Sequence, residues 1–364
     1  MKIALFGPGH GHNMYSFISY FDKDSRFEVD FYYHGDNQFE KEYNKLNYFK
    51  FSKKFLYFVF NVRKYDFIWL MGGGRLIYLL FIPLLFKKKK CVTILHIWGE
   101  TLPLRAVSDN IFGKFTRFLI KYYEVINCNW YGTAEILKKK IKNGSVKVNV
   151  LGLSEEYFLK PNPVDQEIIK LKKKVSKNSY NFYYPKSFLS VSRHDLVVEA
   201  VKILKMQNLP AFKVYFIDGN AVNIERQNYI KDLVKKYDLS ETVILLERVK
   251  YFDTKNFNLM WEVMDCGLQI AEHDQLSNTI FEPLINKKEL IISNIPPYKY
   301  LKKYFGFDFN LVPLDANKIA EEMKKKILNE NAKNQEQKER IKNIIIDKYY
   351  FSTNFNKALN KMIK

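Results

Sequence analysis

Short apolar runs that alternate with helix-patterned segments constrain this chain more than any other feature. Strands that alternate with helices pair in parallel and need helices on both faces of the sheet. Helix-like spacing of apolar residues, as in 111–123, separates the runs. The sequence therefore predicts an α/β fold with a doubly wound parallel sheet. The clearest strand-like runs of the first half are rich in Phe, Val, Ile and Tyr and lie at 3–6, 27–33, 65–71 and 91–97.

The same alternation begins again after residue 180, which predicts a second domain. Between 161 and 180 the pattern lapses into lysines, Ser, Asn and prolines, so this stretch is the predicted linker. A length of 364 residues suits two domains better than one core. Two Rossmann-like domains are expected to face a central cleft that holds the ligand. The predicted division is an N-terminal domain at 1–160, a linker at 161–180, a C-terminal domain at 181–345, and a helix at 346–364 that can return to the N-terminal domain.

The net charge of +20, from 59 Lys and Arg against 39 Asp and Glu, has three explanations. Lysine is common on ordinary protein surfaces, and a basic face can bind either nucleic-acid phosphates or anionic lipid headgroups. The apolar run 76–86 directly precedes four lysines at 87–90. The run is too short to span a bilayer, but it could lie on one with the lysines against headgroups. A buried helix followed by a solvated lysine turn is the alternative, and the sequence leaves both open.

Cysteine usage and the start of the chain indicate the compartment. Cys91, Cys128 and Cys266 lie far apart without CxxC spacing, which argues against a disulfide framework and a cysteine zinc site and fits a reducing cytosol. The apolar start is too short for a signal peptide, and no apolar run is long enough for a spanning helix. We therefore expect a cytoplasmic protein, located at the inner face of the plasma membrane if 76–90 binds lipid.

The glycine-rich turn after the first strand is a candidate for ligand contact. Gly7, Gly9 and Gly11 would let the backbone approach a ligand at the start of a helix. The turn is not a dinucleotide fingerprint, because GxGxxG would need glycine in place of His12. His10 and His12 have no third ligand in view, which argues against a metal site. A tight turn with exposed histidines is the alternative to a ligand-facing loop.

The stretch from Asp274 to Glu282 carries the most chemical information. A strand-like run leads into a polar loop with Asp274, and Ser277-Asn278-Thr279 then open a helix that contains Glu282. Ser and Asn are favourable helix caps, and the amides at a helix start bind anions. A loop acid and a helix acid beside such a site can hold a polyhydroxylated ligand that carries phosphate. Acids that only cap the helix and compensate its dipole are the alternative.

The pair Asp274…Glu282 resembles the E-x7-E motif of GT-B glycosyltransferases of the retaining family-4 type, with Asp in the first position. Residues 275–277 read Gln-Leu-Ser where that family usually has Gly-Phe-Gly. The glycine loop around Gly219 and the strand-and-Asp segment 310–315 also follow the family's order. The resemblance covers the second half of the chain, and it covers the first half mainly in architecture.

The resemblance implies a site for a nucleotide sugar. Lys186 and Arg193 resemble the family's basic pair, in reverse order, and would hold the diphosphate. Asp274 would hold the sugar and Glu282 the ribose, and His96 of the first domain would bond near the transferred sugar. Surface charge is the alternative for the two cations, and a satisfied strand-end histidine is the alternative for His96. Further donor contacts are implied for Gly9, Gly219, Ser277, Asn278 and Thr279.

The implied function is that of a retaining, metal-independent, hexosyltransferase-like enzyme. It would move a sugar from a nucleotide-sugar donor, a UDP- or GDP-sugar, to a glycan or lipid-linked acceptor in bacterial surface polysaccharide or glycolipid synthesis. The donor is a substrate, and neither a cofactor nor a metal is expected. The expected partners are the donor, the acceptor and an anionic membrane surface, but no nucleic acid. A basic nucleic-acid-binding protein and a sugar-nucleotide epimerase of the same fold are the alternatives.

Overall fold

The structure is a computed structural model, and the chain in it forms two compact units. The first unit comprises Met1–Glu155 and Tyr349–Lys364, and the second comprises Glu156–Lys348. Among the described residues, no helix combines the length and the apolar character that crossing a bilayer requires. The structure describes residues 1–9, 12–37, 39–41, 43–72, 76–97, 105–106, 108–128, 131–141, 146–148, 152, 166–217, 223–246, 258–274, 276–307, 309–330 and 333–363.

The described part of the first unit is built on a parallel sheet of seven strands. The strands lie in the order β3-β2-β1-β4-β5-β6-β7, so the chain winds outward from β1 and β4 in both directions. This confirms the prediction of a doubly wound sheet. In chain order the elements are β1 (Lys2–Pro8), α1 (His12–Lys23), β2 (Glu28–His34), β3 (Asn47–Lys50), α2 (Phe51–Asn61), β4 (Phe67–Met71), α3 (Leu76–Leu85), β5 (Val92–Ile97), α4 (Ile111–Ile120), β6 (Val125–Cys128), α5 (Tyr131–Ile141) and β7 (Val146–Val148).

Burial on both faces of this sheet explains why its central strands β1 and β4 are almost entirely apolar. In β1, Ile3 and Leu5 belong to one core cluster, whereas Ala4 and Phe6 belong to the other. Successive side chains of a strand point to opposite faces, so a strand covered by helices on both sides has no solvent-facing position. Every residue of β4 is buried for the same reason. This is why the strand-like runs were recognisable in the sequence.

The second unit has its own parallel sheet, with six strands in its described part. Their order is β10-β9-β8-β11-β12-β13, and the order reverses between β8 and β11. The second doubly wound sheet is therefore confirmed as well. The elements that follow β7 are α6 (Gln166–Lys173), β8 (Tyr180–Tyr184), α7 (His194–Lys205), β9 (Phe212–Ile217), α8 (Ile224–Lys236), β10 (Val243–Leu246), β11 (Cys266–Gln269), α9 (Asn278–Ile285), β12 (Glu289–Ser293), α10 (Pro296–Phe305), β13 (Leu311–Val312), α11 (Ala316–Ile327) and α12 (Gln335–Tyr349).

The stretch 161–180, which we expected to be a linker, contains the helix α6. Ile168 and Leu171 are buried and pack with Trp261 in one core cluster of the second unit. The lysines that suggested a linker occupy the outer positions of α6 and the turn that follows it. Ile168 and Leu171 are enough to dock this short helix on the core. Two apolar residues among so many lysines are too weak a pattern to predict a helix from the sequence.

The last helix, α13 (Phe351–Ile363), belongs to the first unit. Phe351, Phe355 and Leu359 are buried in the core cluster that also contains Trp69 of β4. The Phe355 ring stacks on the Trp69 ring with 5.2 Å between the centroids. The spacing of these side chains places them on one face of the helix, and that face covers one side of the first sheet.

Candidate active site

The second sheet has a natural ligand position where its strand order reverses, between β8 and β11. These strands are neighbours, with Phe182 beside Cys266. Ligands of open α/β sheets bind outside the carboxyl ends of the strands at such a reversal. Lys186 follows the carboxyl end of β8, and the loop with Asp274 follows the carboxyl end of β11. The topology therefore brings together two predicted site residues that lie far apart in sequence.

Lys186 and Asp274 form an ion pair. The distance from Lys186 Nζ to Asp274 Oδ2 is 3.2 Å, and the side chains are only 19% and 12% exposed. A pair that is largely shielded from water interacts more strongly than an exposed one, because the local dielectric is lower. The sequence identified both residues, and the structure shows that they contact each other.

The same Asp274 oxygen accepts hydrogen bonds from two further side chains. Gln269 Nε2 donates to Oδ2 at 2.6 Å, and Tyr298 Oη donates to it at 2.5 Å. Burial first, and then the nearby Asp274 carboxylate, raise the pKa of Tyr298 well above its usual value. Tyr298 therefore keeps its proton and acts as a donor. The carboxylate is held by groups from the segment after β8, from β11 and from α10.

The start of α9 is joined to this cluster through hydroxyl groups. Ser277 Oγ lies 2.8 Å from Thr279 Oγ1, and Thr279 Oγ1 donates to Gln269 Oε1 at 2.8 Å. Leu276 precedes this start with a φ of 43°. Positive φ is strained for a residue with a branched side chain, so the loop is held by its surroundings. Amides at a helix start favour an anion, and here they lie in the segment next to the Lys186–Asp274 pair.

Arg193 lies in a neighbouring cluster. Its guanidinium donates to Asp195 Oδ2 at 2.8 Å and to Glu272 Oε1 at 2.7 Å, and Arg226 donates to Asp195 Oδ1 at 2.6 Å. Burial alone would raise the pKa of Asp195, but the hydrogen bond and charge of Arg193 outweigh it and hold that pKa below its usual value. The backbone amide of Arg193 donates to Ile270 O at 3.0 Å, which joins this cluster to the loop after β11.

Glu282 is a residue of α9, and its side chain is buried within the second unit. Its side chain is 2% exposed, and Trp261 Nε1 donates to its carboxylate at 3.4 Å. The ribose contact of Glu282 remains a prediction.

Residues 165–345 match the family model of glycosyl transferases group 1. The second unit is a group 1 glycosyl transferase domain. The matched segment begins just before α6 and includes the helix start with Ser277, Asn278 and Thr279. A search of curated proteins finds no match to the chain.

Solved structures share the fold of the whole chain, including the part outside the group 1 domain. HepE of Anabaena, solved with UDP and glucose, has a TM-score of 0.77 at 12% identity, with 100% of both chains covered. A glycosyltransferase of Rickettsia africae has a TM-score of 0.74 at 14% identity and covers 99% of this chain and 97% of its own. Sucrose-phosphate synthase of Thermosynechococcus elongatus has a TM-score of 0.72 at 12% identity and covers 100% and 99%. The predicted GT-B fold, with two Rossmann-like domains, is confirmed.

Two predicted site residues, His96 and Gly9, lie in the first unit, outside the group 1 domain. His96 is the penultimate residue of β5 and has a buried side chain, and its ring packs edge-on against Phe17 with 5.6 Å between the centroids. The amide of Gly9 donates to His34 O at 3.0 Å, and a Cβ at this position would lie 2.2 Å from Asp36 O. Gly9 is therefore required for a close backbone approach, and the donor contacts of Gly9 and His96 remain predictions. Gly219 lies outside the described residues.

Three residues of the group 1 domain were not found from the sequence. Gln269 and Tyr298 hold Asp274, and the His194 ring lies between the rings of Tyr184 and Phe188 at 4.4 and 4.5 Å. Burial lowers the pKa of His194 to about 4, so the ring is neutral near pH 7. Gln269 stands next to the polar loop and could have been suspected. Tyr298 follows two prolines well downstream, and nothing in its local pattern points to Asp274.

Proposed function

We propose that this protein is a glycosyltransferase that moves a sugar from a nucleotide-sugar donor to an acceptor hydroxyl. The family match over 165–345 supports the reaction class. The observation that carries the proposal is the shielded pair of Lys186 and Asp274 at the carboxyl ends of β8 and β11. A cation and an acid at that point suit a ligand with a diphosphate at one end and sugar hydroxyls at the other.

Each site residue has a role that follows from its charge. The Lys186 ammonium, together with amides at the start of α9, would stabilise the negative charge that builds on the diphosphate as it leaves. Asp274 would accept hydrogen bonds from sugar hydroxyls. When the donor binds, the phosphate competes with Asp274 for Lys186, which frees carboxylate lone pairs for the sugar. Arg193 would add positive potential from the adjacent cluster.

We propose a UDP-sugar as the first donor to test. HepE, which has the same fold, has been solved in complex with UDP-glucose. GDP-sugars are the second choice. The acceptor would be a glycan or a lipid-linked saccharide, in the synthesis of bacterial surface polysaccharide or glycolipid in the cytoplasm.

The reaction would retain the configuration of the sugar and proceed without a metal. The bond between the anomeric carbon and the phosphate oxygen breaks, and a bond to the acceptor oxygen forms on the same face. The proton of the acceptor hydroxyl passes to an oxygen of the leaving phosphate, so no separate general base is needed. Lys186 would supply the positive charge that a metal ion provides in other transferases.

The proposal is tested with the full-length chain. A thermal-shift screen with UDP-, GDP-, CMP- and ADP-sugars selects the donor, and release of the nucleoside diphosphate is then measured with and without EDTA. Lys186→Ala and Asp274→Asn should each reduce turnover by about a hundredfold or more, because each removes a charge that acts on the transition state. Lys231→Ala, an exposed lysine on α8, is the matched control and should have no effect.

Three results would overturn the proposal. Wild-type turnover in both site variants would show that Lys186 and Asp274 are not part of the catalytic site. Conversion of a UDP-sugar to its epimer without an acceptor would identify an epimerase. Salt-dependent binding of oligonucleotides, with no turnover of any sugar nucleotide, would identify a nucleic-acid-binding protein.

A further inference from the structure

Two helices of the first unit, α3 and α4, pack side by side through aromatic contacts. The rings of Tyr78 and Phe115 stack with 5.9 Å between centroids, and the Phe81 and Phe118 rings lie 5.7 Å apart. The hydroxyl groups of Tyr78 and Thr116 are 2.9 Å apart. The pair therefore forms a continuous piece of the surface of the first unit.

The outer side of this helix pair is apolar. On α4, Gly113, Thr116 and Leu119 face the core, whereas Ile111 and Phe112 are 77% and 70% exposed. A helix that is apolar on its outer face as well as its inner one is normally covered by a partner. We call the following exposed side chains the apolar face: Leu79 and Ile82 of α3, and Ile111, Phe112, Phe115 and Phe118 of α4.

Positive charges border the apolar face. Lys114 of α4 and Lys121, directly after α4, are exposed and lie three residues from Ile111 and Phe118, respectively. Lys89 and Lys90 are exposed just after α3. Neither helix contains Asp or Glu. Long lysine side chains at the edge of an apolar surface can extend their ammonium groups toward anionic headgroups.

We infer that the apolar face docks the protein on the surface of an anionic lipid bilayer. Apolar side chains would enter the boundary between headgroups and acyl chains, with both helices lying in the plane of the membrane. The cations at the border match the negative surface of the bilayer. In contrast to the expectation from the sequence, which involved only 76–90, the surface is formed jointly by α3 and α4. It extends the proposed function, because it would bring the enzyme to a lipid-linked acceptor.

Vesicle sedimentation of the full-length protein tests this docking without any substrate. We expect binding to vesicles of phosphatidylcholine and phosphatidylglycerol in equal parts, weaker binding to phosphatidylcholine alone, and release by salt. The double variant Ile111→Ser/Phe112→Ser should lower the partition coefficient by about tenfold or more, because two apolar side chains no longer enter the lipid. The variant Lys114→Glu/Lys121→Glu should reduce binding only to the anionic vesicles.

The matched control is Met206→Ser/Ile224→Ser, which changes two exposed apolar residues of the second unit, 86% and 63% exposed. It should bind as the wild type does. Absence of wild-type binding, or equal binding by the Ile111→Ser/Phe112→Ser variant, would overturn the inference. A dimer that dissociates in that variant, with no vesicle binding, would show that a second copy covers the apolar face instead. Turnover with a soluble acceptor is measured separately, so failure of docking and failure of the proposed reaction are distinguishable.

Discussion

At the scale of single residues, the orientation of Asp274 depends on groups that are not part of the acidic motif. Gln269 holds the carboxylate from the end of β11 and also donates to Tyr298 Oη at 3.0 Å. Thr279 Oγ1 in turn donates to the side-chain oxygen Oε1 of Gln269, so the loop and the start of α9 share one hydrogen-bond network. In such a network one deletion affects the geometry of the others. We regard Tyr298 and Gln269 as positioning residues.

Tyr298→Phe tests this positioning role. The variant keeps the buried ring and removes only the hydroxyl that donates to Asp274 Oδ2. A hydrogen bond to a charged group contributes about 1.5–3 kcal/mol, so we expect kcat/KM to fall by roughly tenfold to a hundredfold. Steady-state kinetics with the selected donor measures the effect, and thermal unfolding checks that the fold is intact. Tyr229→Phe, at an exposed position of α8, is the control, and an unchanged kcat/KM in Tyr298→Phe would contradict the assignment.

Because His194 is buried as a neutral ring, we expect the protein to lose stability in acid. Its pKa is about 4 in the folded protein because of burial, whereas an unfolded chain binds this proton near pH 6.5. The unfolded state therefore binds more protons between these values, and the free energy of unfolding falls as the pH falls through this window. From pH 7 to 5, His194 should account for a loss of about 2 kcal/mol.

Urea unfolding of the wild type and His194→Phe at pH 7 and pH 5 measures this contribution. Phenylalanine preserves an aromatic ring between Tyr184 and Phe188 but cannot be protonated. The wild type should lose more stability than the variant over this range, whatever their difference at pH 7. Equal losses would show that His194 is not neutral in the folded protein at pH 5.

The sequence predicted several residues of the candidate site, but it did not predict which of them contact each other. Asp274 was identified through its resemblance to the family's E-x7-E motif, and Lys186 through its resemblance to the family's basic pair. Their pairing depends on β8 and β11 being neighbours, and only the strand order shows that. Tyr298 was missed because its contact with Asp274 spans β12 and the start of α10. Glu282 was identified by spacing, but spacing does not show that its carboxylate faces Trp261.

At the scale of elements, the strands that were predicted from the sequence are those buried on both faces of the sheet. β1, β4 and β5 were predicted because every position is apolar or nearly so. β3 and α2 were missed: the edge strand β3 has no fully buried position, and exposed Leu56 and Phe60 interrupt the amphipathic pattern of α2. α10 begins with Pro296 and Pro297 and was also missed, although prolines are favourable in the first turn of a helix.

Some of the lysine excess has a structural use at this scale. The Glu289 carboxylate, at the start of β12, is buried and lies 2.8 Å from Lys326 of α11 and 3.4 Å from Lys338 of α12. Burial alone would raise the pKa of Glu289, but the hydrogen bond and charge of Lys326 outweigh it and hold that pKa below its usual value. Two helices are thus joined to the sheet at the end opposite the candidate site. Lys326 and Lys338 therefore pair with Glu289, and we do not count them among the lysines that could bind phosphate or lipid headgroups.

At the scale of the whole molecule, the chain leaves the first unit, forms the second and then returns. Phe351, Phe355 and Leu359 of α13 cover the face of the first sheet on which the Trp69 side chain lies. The core of the first unit is therefore complete only when α13 is in place. Stability of the first unit therefore depends on the last residues of the chain. The fold of each unit could be predicted from its own sequence, but the amount of core that α13 supplies could not.

Phe355→Ala tests the dependence on the C-terminal helix. The ring is fully buried and also packs edge-on against Phe17 at 5.3 Å, so its removal leaves a cavity between α13 and the sheet. We expect the free energy of unfolding of the first unit to fall by about 3–5 kcal/mol. Phe60→Ala, a change of the same size at a side chain that is 83% exposed, should have almost no effect.

Hydrogen exchange followed by mass spectrometry distinguishes the two units in this experiment. In Phe355→Ala, amides of β1 and β4 should exchange faster, because opening of the first unit becomes easier while the core of the second unit is unchanged. Amides of β9 and β11 should keep their wild-type protection. Unchanged exchange in β1 and β4 would show that α13 adds little to the stability of the first sheet. Equal acceleration in all four strands would show that the two units unfold as one cooperative body.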